Sequence, residues 1–204
     1  MSGFGMLLVV GLVFGCAGFL AVELAKWSCE RIVPFTDGPK PGTPPVPFLI
    51  AGAVLLGVGL AMRGTPVPLL GLSMVLCASL VACWYCDVRT GVLPDIFTLV
   101  PLGLALIVAL VEHNYWIFVP LVITATPFAI IAAMTKGRGM GWGDVKLAAL
   151  GGVVLGLWAA LAAFAGACVV AVAIALARGR KTEPIAFGPY LAGSIGLALV
   201  FGAH

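Results

Sequence analysis

The chain holds four aspartates, and three of them stand at the edges of apolar runs: Asp87, Asp95 and Asp144. The first cluster reads Cys86-Asp-Val-Arg-Thr-Gly-Val-Leu-Pro-Asp95. The second reads Lys136-Gly-Arg-Gly-Met-Gly-Trp-Gly-Asp-Val-Lys146, with four glycines from Gly137 to Gly143. Ionisable groups bordering hydrocarbon are costly, so each is a functional candidate. Two carboxyl groups a few ångströms apart cannot both ionise, and one is pushed to hold its proton. One then acts as base on a water while the other protonates the leaving group. That is peptide hydrolysis with neither a metal nor a covalent intermediate.

Local placement separates the three acids. Asp95 follows Pro94 and begins an apolar run, where a carboxylate meets free N–H groups and the positive end of the helix dipole. Capping alone accounts for it. Asp87 closes an apolar run, where the dipole disfavours an anion, so a functional reason for it is stronger. Arg89 as a simple charge partner is the plainer account. Asp144 opens a run after the glycines, which permit close backbone approach and positive φ. Gly141, Gly143 and Lys146 flank it; a glycine hinge with a capping Asp is the plainer account there.

Other chemistries lack their parts. The histidines are His113 and His204, and no His-Glu-x-x-His is present. Ser194 between glycines has no intramembrane His to act as its base. Cys83-Trp-Tyr-Cys86 is one C-x-x-C, whereas a structural zinc site takes four ligands. The six cysteines mostly lie in apolar runs, as small hydrophobes do.

The elements that must position the acids follow from composition. Hydrophobic residues make up 62% of the 204 and charged residues 9%. A water-soluble surface needs far more charge, so the bilayer is the solvent. A net charge of +3 with no Lys/Arg run sets nucleic acid aside. The N-terminal apolar run has no preceding Lys or Arg, and reads as a retained helix rather than a cleaved signal.

The predicted spans are Gly3–Leu24, Val46–Met62, Pro66–Tyr85, Ile96–Val111, Tyr115–Met134, Val145–Ala177 and Ile185–Ala203. The sixth would run about 50 Å as one helix, too long for a core of about 30 Å, so it divides near Trp158–Leu161. The predicted class is all-α, a polytopic membrane bundle of about eight transmembrane helices. Residues 1–45 supply the first helix and a proline-rich loop, and residues 46–204 a seven-helix core. With eight spans, Lys26, Arg31, Lys40, Arg89, Lys136, Arg138, Lys146, Arg178, Arg180 and Lys181 share one side. Arg63 alone of the 11 basic residues takes the other. Basic loops face the cytoplasm. Both acidic clusters are then cytoplasmic and both termini outside.

Asp87-Val-Arg-Thr-Gly-Val-Leu-Pro-Asp-Ile-Phe-Thr98 resembles the first signature of type IV prepilin peptidases, an Asp followed by Leu-Pro-Asp and a Thr. Gly139-Met-Gly-Trp-Gly-Asp-Val-Lys146 resembles the second, the Gly-x-Gly-Asp of the wider intramembrane aspartyl proteases. Ala186-Phe-Gly-Pro-Tyr190 looks like the family's Phe-Gly-Pro segment at the start of the last helix. The resemblance covers roughly Val81 onward. Presenilin-like relatives carry Tyr-Asp and Pro-Ala-Leu, but here Cys86 precedes Asp87 and no Pro-Ala-Leu occurs.

The resemblance implies Asp87 and Asp144 as the catalytic pair, with Asp95, Arg89, Pro94, Gly141, Gly143 and Lys146 supporting. It implies a prepilin or pseudopilin substrate with a basic leader, cleaved at the cytoplasmic face of a prokaryotic inner membrane. The product would feed a pilus, secretion or DNA-uptake machine. Proteolysis needs no cofactor. Many members also N-methylate the product with S-adenosylmethionine and carry two C-x-x-C pairs in the first loop, where this chain has only Cys29. The competing class is a non-enzymatic assembly factor or small transporter using Asp87 and Asp144 as ligands.

The charge asymmetry gives a test. Single cysteines placed in Asp87–Pro94 or Lys136–Gly143 should resist an impermeant thiol reagent applied outside intact cells. Labelling from outside would reverse the topology.

Overall fold

The computed structural model describes residues 3–32, 44–136, 140–177 and 186–202. Asp37, Lys40, Gly137, Arg138, Gly139, Arg178, Arg180, Lys181 and His204 lie outside the described residues. The described chain is helical throughout, as hydrocarbon requires: without water, each backbone N–H and C=O must find its partner within the segment. It falls into two compact units, residues 1–91 and 92–204.

Among the described residues, the first unit packs α1 (Gly3–Ile32), α2 (Val46–Met62) and α3 (Val67–Thr90). α1 continues past the predicted end at Leu24. Burial carries its last turns, where Ala25 and Cys29 are inside, while on the outer side Lys26 Nζ meets Glu23 Oε1 at 2.5 Å and the Arg31 guanidinium lies 3.9 Å from the Trp27 ring centre. α1 and α2 approach closely at Phe14, which is 2% exposed. A Cβ at Gly57 would stand 2.4 Å from Phe14 Cγ, so only glycine admits the ring. α3 begins after Pro66, with Pro68 in its first turn, where a missing N–H is harmless. It ends at Gly91, whose φ of +68° lets its N–H reach the Asp87 carbonyl at 2.9 Å.

The second unit holds α4 (Asp95–Val111), a 3-10 turn (Tyr115–Ile117), α5 (Phe118–Met134), α6 (Trp142–Leu155), α7 (Leu157–Ala177) and α8 (Gly188–Phe201). The long apolar stretch divides, as its length requires, but at Gly156 rather than at Trp158–Leu161. Gly156 takes φ +75° and ψ 172°, a backbone that side chains disfavour, and α7 restarts directly. Glycine is common inside membrane helices, so this one carried no mark of a break.

α5 and α6 touch backbone to backbone. Thr124 Oγ1, fully buried, lies 2.7 Å from Pro120 O on its own helix and 3.2 Å from Ala148 O on α6. A Cβ at Gly152 would fall 2.1 Å from that hydroxyl oxygen. Phe128 of α5 meets Phe164 of α7 edge-on at 5.6 Å, and a Cβ at Gly151 would stand 2.7 Å from Phe164 Cζ. Small residues thus set helix spacing where the hydrophobic effect gives no preference for protein over lipid.

Among the described residues, four helices are long and apolar enough to cross a membrane: Phe4–Arg31, Val67–Thr90, Tyr115–Met134 and Leu157–Ala177. Val46–Met62, Asp95–Val111 and Gly188–Phe201 are shorter apolar helices. Large apolar side chains such as Leu12, Leu55, Ile107, Trp158 and Val169 are exposed, which suits lipid rather than water. The chain is an all-α, multi-pass membrane protein.

Gly152→Ala should destabilise the protein by about 1–3 kcal/mol, because the new methyl must displace Thr124 or the Pro120 backbone. Gly166→Ala, where nothing lies within 4 Å, should be close to neutral. Thermal melting in detergent compares them.

Candidate active site

Asp87 lies in the last turn of α3 and is 5% exposed. Its neighbours on the helix are apolar or weakly polar: Cys83 and Cys86 are fully buried, and Cys86 Sγ lies 3.4 Å from Cys29 Sγ on α1. The Asp87 carbonyl accepts the Gly91 N–H, and the Cys86 carbonyl accepts the Thr90 hydroxyl at 2.8 Å. These bonds close the helix end, so the α3 C-terminus is fixed up to the loop that follows. The carboxyl group is therefore presented from a rigid element, at the negative end of its dipole. Arg89, half-buried in the same turn, supplies the cation that a helix C-terminus favours.

Asp144 lies in the first turn of α6, which starts at Trp142, three residues before the predicted Val145. It is 7% exposed, and its backbone N–H donates to Gly141 O at 3.1 Å. Its Oδ1 is a buried side-chain oxygen without a hydrogen-bond partner among the described residues. Buried acceptors are nearly always satisfied, so an orphan at a helix N-terminus marks a place for a water or a substrate group.

The flanking glycines bear out close approach but not positive φ. Neither described glycine has positive φ. Gly141 is extended at φ −75° and ψ 149°, and Gly143 belongs to the helix. What Gly143 provides is space: a Cβ there would stand 2.5 Å from Leu93 Cβ and 2.9 Å from Leu93 Cδ1. A Cβ at Gly141 would meet only ordinary contacts, the nearest 3.7 Å away at Asp144 Oδ2. The two residues thus supply one close approach and one open position.

Leu93 is the residue that sequence reasoning missed. It is 8% exposed and brings the Leu-Pro-Asp segment against the Asp144 helix. An apolar Val92-Leu93 pair in the short connection between Thr90 and Asp95 was the available signal. Pro94, buried at φ −64° and ψ 136°, aims the chain into α4. Asp95 stands in the first turn of α4 as expected, but its carboxylate does more than face the dipole: Oδ1 pairs with Lys146 Nζ at 2.5 Å. The second unit therefore brings together Leu93, Pro94, Asp95, Gly143, Asp144 and Lys146. Asp87 and Arg89 belong to the first unit.

Among the described residues, no group of three or more His, Cys, Asp or Glu side chains is placed to hold a metal ion. The Phe-Gly-Pro segment opens α8 at Gly188, and Phe187 lies 6.2 Å from Phe128, ring to ring.

Residues 74–176 match the family model described as the type IV leader peptidase family. Among curated proteins, the chain is 36% identical over 176 residues to a prepilin leader peptidase/N-methyltransferase of Burkholderia pseudomallei (strain 1026b). That match covers 78% of this chain and 54% of the relative. A protein of the same name from Aeromonas salmonicida (strain A449) is 34% identical over 174 residues, covering 72% of this chain and 55% of the relative. One from Bacillus subtilis (strain 168) is 42% identical over 79 residues, 36% of this chain and 32% of the relative. The chain spans about half the length of the first two relatives. No solved structure matches.

The two glycines give opposite expectations. Gly143→Ala should lower melting temperature, and with it any activity, because Leu93 must move. Gly141→Ala should leave the fold intact. Equal melting of the two variants would contradict the Leu93 contact.

Proposed function

Because the chain belongs to the type IV leader peptidase family, we propose that it is a membrane-embedded aspartyl endopeptidase. Its substrates are type IV prepilins or pseudopilins, cut behind a basic leader at the cytoplasmic face of a bacterial inner membrane. The observation that carries this reading is the buried Asp144 carboxyl with its unpartnered Oδ1 at the start of α6. It lies inside the family-matched segment, which also contains the buried Asp87.

In this reading Asp87 and Asp144 share one proton. The ionised member takes a proton from water as the oxygen attacks the scissile carbonyl. The protonated member gives its proton to the leaving amine. Both acids stand at helix ends, so a substrate can dock from the aqueous face while its apolar helix remains among the spans. Leu93, Pro94, Asp95, Gly141, Gly143, Lys146 and Arg89 support the pair.

The relatives' names also carry an N-methyltransferase. Methyl transfer from S-adenosylmethionine to the new N-terminus is a separate reaction, and no residue described here is assigned to it. It is read independently as an added methyl group on the cleaved product when S-adenosylmethionine is supplied.

Purified protein in detergent, incubated with a prepilin, should yield the shortened product. Asp87→Asn and Asp144→Asn each keep shape but cannot exchange the proton. Each should lower turnover by about 10²–10⁴-fold in protein that melts normally. Substantial cleavage by either variant would remove the aspartyl mechanism. Intact substrate with the unsubstituted chain would favour the assembly-factor or transporter reading.

A further inference from the structure

The Asp95–Lys146 pair joins residues far apart in sequence, and neither partner gains locally from it. Lys146 sits near the N-terminus of α6, where the helix dipole disfavours a cation. Its long side chain must also be ordered to reach Asp95 Oδ1. The side chains are 31% and 62% exposed, in a range where ion pairs add little to stability. Something other than stability therefore accounts for the contact.

Helical geometry supplies it. Gly143 and Lys146 are three residues apart and share a face of α6. Both contact the same short segment, Gly143 against Leu93 and Lys146 against Asp95. Asp144 points elsewhere, roughly 100° around the helix from Gly143 and roughly 160° from Lys146. Lys146 thus cannot serve by touching Asp144. A single contact would leave α6 free to roll about it. Two contacts on one face, a turn apart, fix the rotation of the helix.

We propose that Asp95 and Lys146 are a positioning pair: with the Leu93–Gly143 contact they form a two-point clasp that sets the rotation of α6, and so the direction of the Asp144 carboxyl. This rests on the reading of Asp144 as a catalytic acid. A carboxyl group about 5 Å from the helix axis moves about 1.7 Å for a 20° roll. Misplacement of about 1 Å costs on the order of 10²-fold in rate.

The test uses the full-length chain in detergent with a purified prepilin. Lys146→Gln and Asp95→Asn should each lower kcat about twofold to fivefold, the factor an exposed ion pair can supply, with KM and melting temperature unchanged. The double variant should be no worse than either single one, because the two residues act as a unit. Lys146→Arg should recover most of the loss, and the exchanged pair, Asp95→Lys with Lys146→Asp, part of it. Full kcat in Lys146→Gln, additive losses, or losses that follow melting temperature through the whole series would each overturn the clasp. Asp144→Asn separates this from the reading beneath it. If Asp144→Asn still cleaves, both fail. If it is inactive while Lys146→Gln keeps full kcat, only the clasp fails.

Discussion

A backbone amide in hydrocarbon has no water to turn to. Every segment at membrane depth must satisfy its own N–H and C=O groups, and the helix does so everywhere except in its first and last turns. Open polar groups, charge and water access are therefore confined to helix ends. Both buried carboxyl groups follow that rule: Asp87 in the last turn of α3 and Asp144 in the first turn of α6. The ends themselves are closed economically. Gly91 turns its N–H back onto α3, and Gly156 breaks α6 from α7 without an intervening loop.

Between the ends, spacing is set by missing side chains. Phe14 occupies the place of a Gly57 side chain, Thr124 that of Gly152, and Leu93 that of Gly143. The first two contacts hold helices together within their units. The third uses the same device at the site, bringing a turn residue against the helix that bears Asp144. The same kind of close approach that spaces the helices thus recurs beside the buried Asp144.

The fold was legible where hydropathy alone decides. α2 has the predicted bounds, α4 and α5 fall close to theirs, and the need to divide the long apolar stretch came from its length. The boundaries that failed depend on interactions between particular side chains or on one φ angle. α1 outlasts its apolar run because Ala25 and Cys29 are buried, the latter against Cys86 of α3. The α6–α7 break falls at a glycine that looks like any other. At the site, residue types and order pointed to Asp87 and Asp144, and the structure finds both buried at helix ends. Leu93 and the partner of Asp95 were not legible, because both depend on contacts across some fifty residues of sequence. The positive φ expected at Gly141 and Gly143 was a reading of composition, and composition does not distinguish conformational freedom from lack of bulk.

The break at Gly156 also bears on how the protein reaches the membrane. It leaves α6 with 14 residues, about 21 Å of helix against a hydrocarbon core of about 30 Å. α6 also carries Asp144 and Lys146 in its opening turns, residue types that insertion machinery admits only at a cost. Such a segment does not partition into lipid by itself. The helices on either side of it in sequence, α5 and α7, lie within segments long and apolar enough to do so. The helix bearing Asp144 is thus too short and too polar at its start to rest in lipid alone, and it depends on the packing of its neighbours.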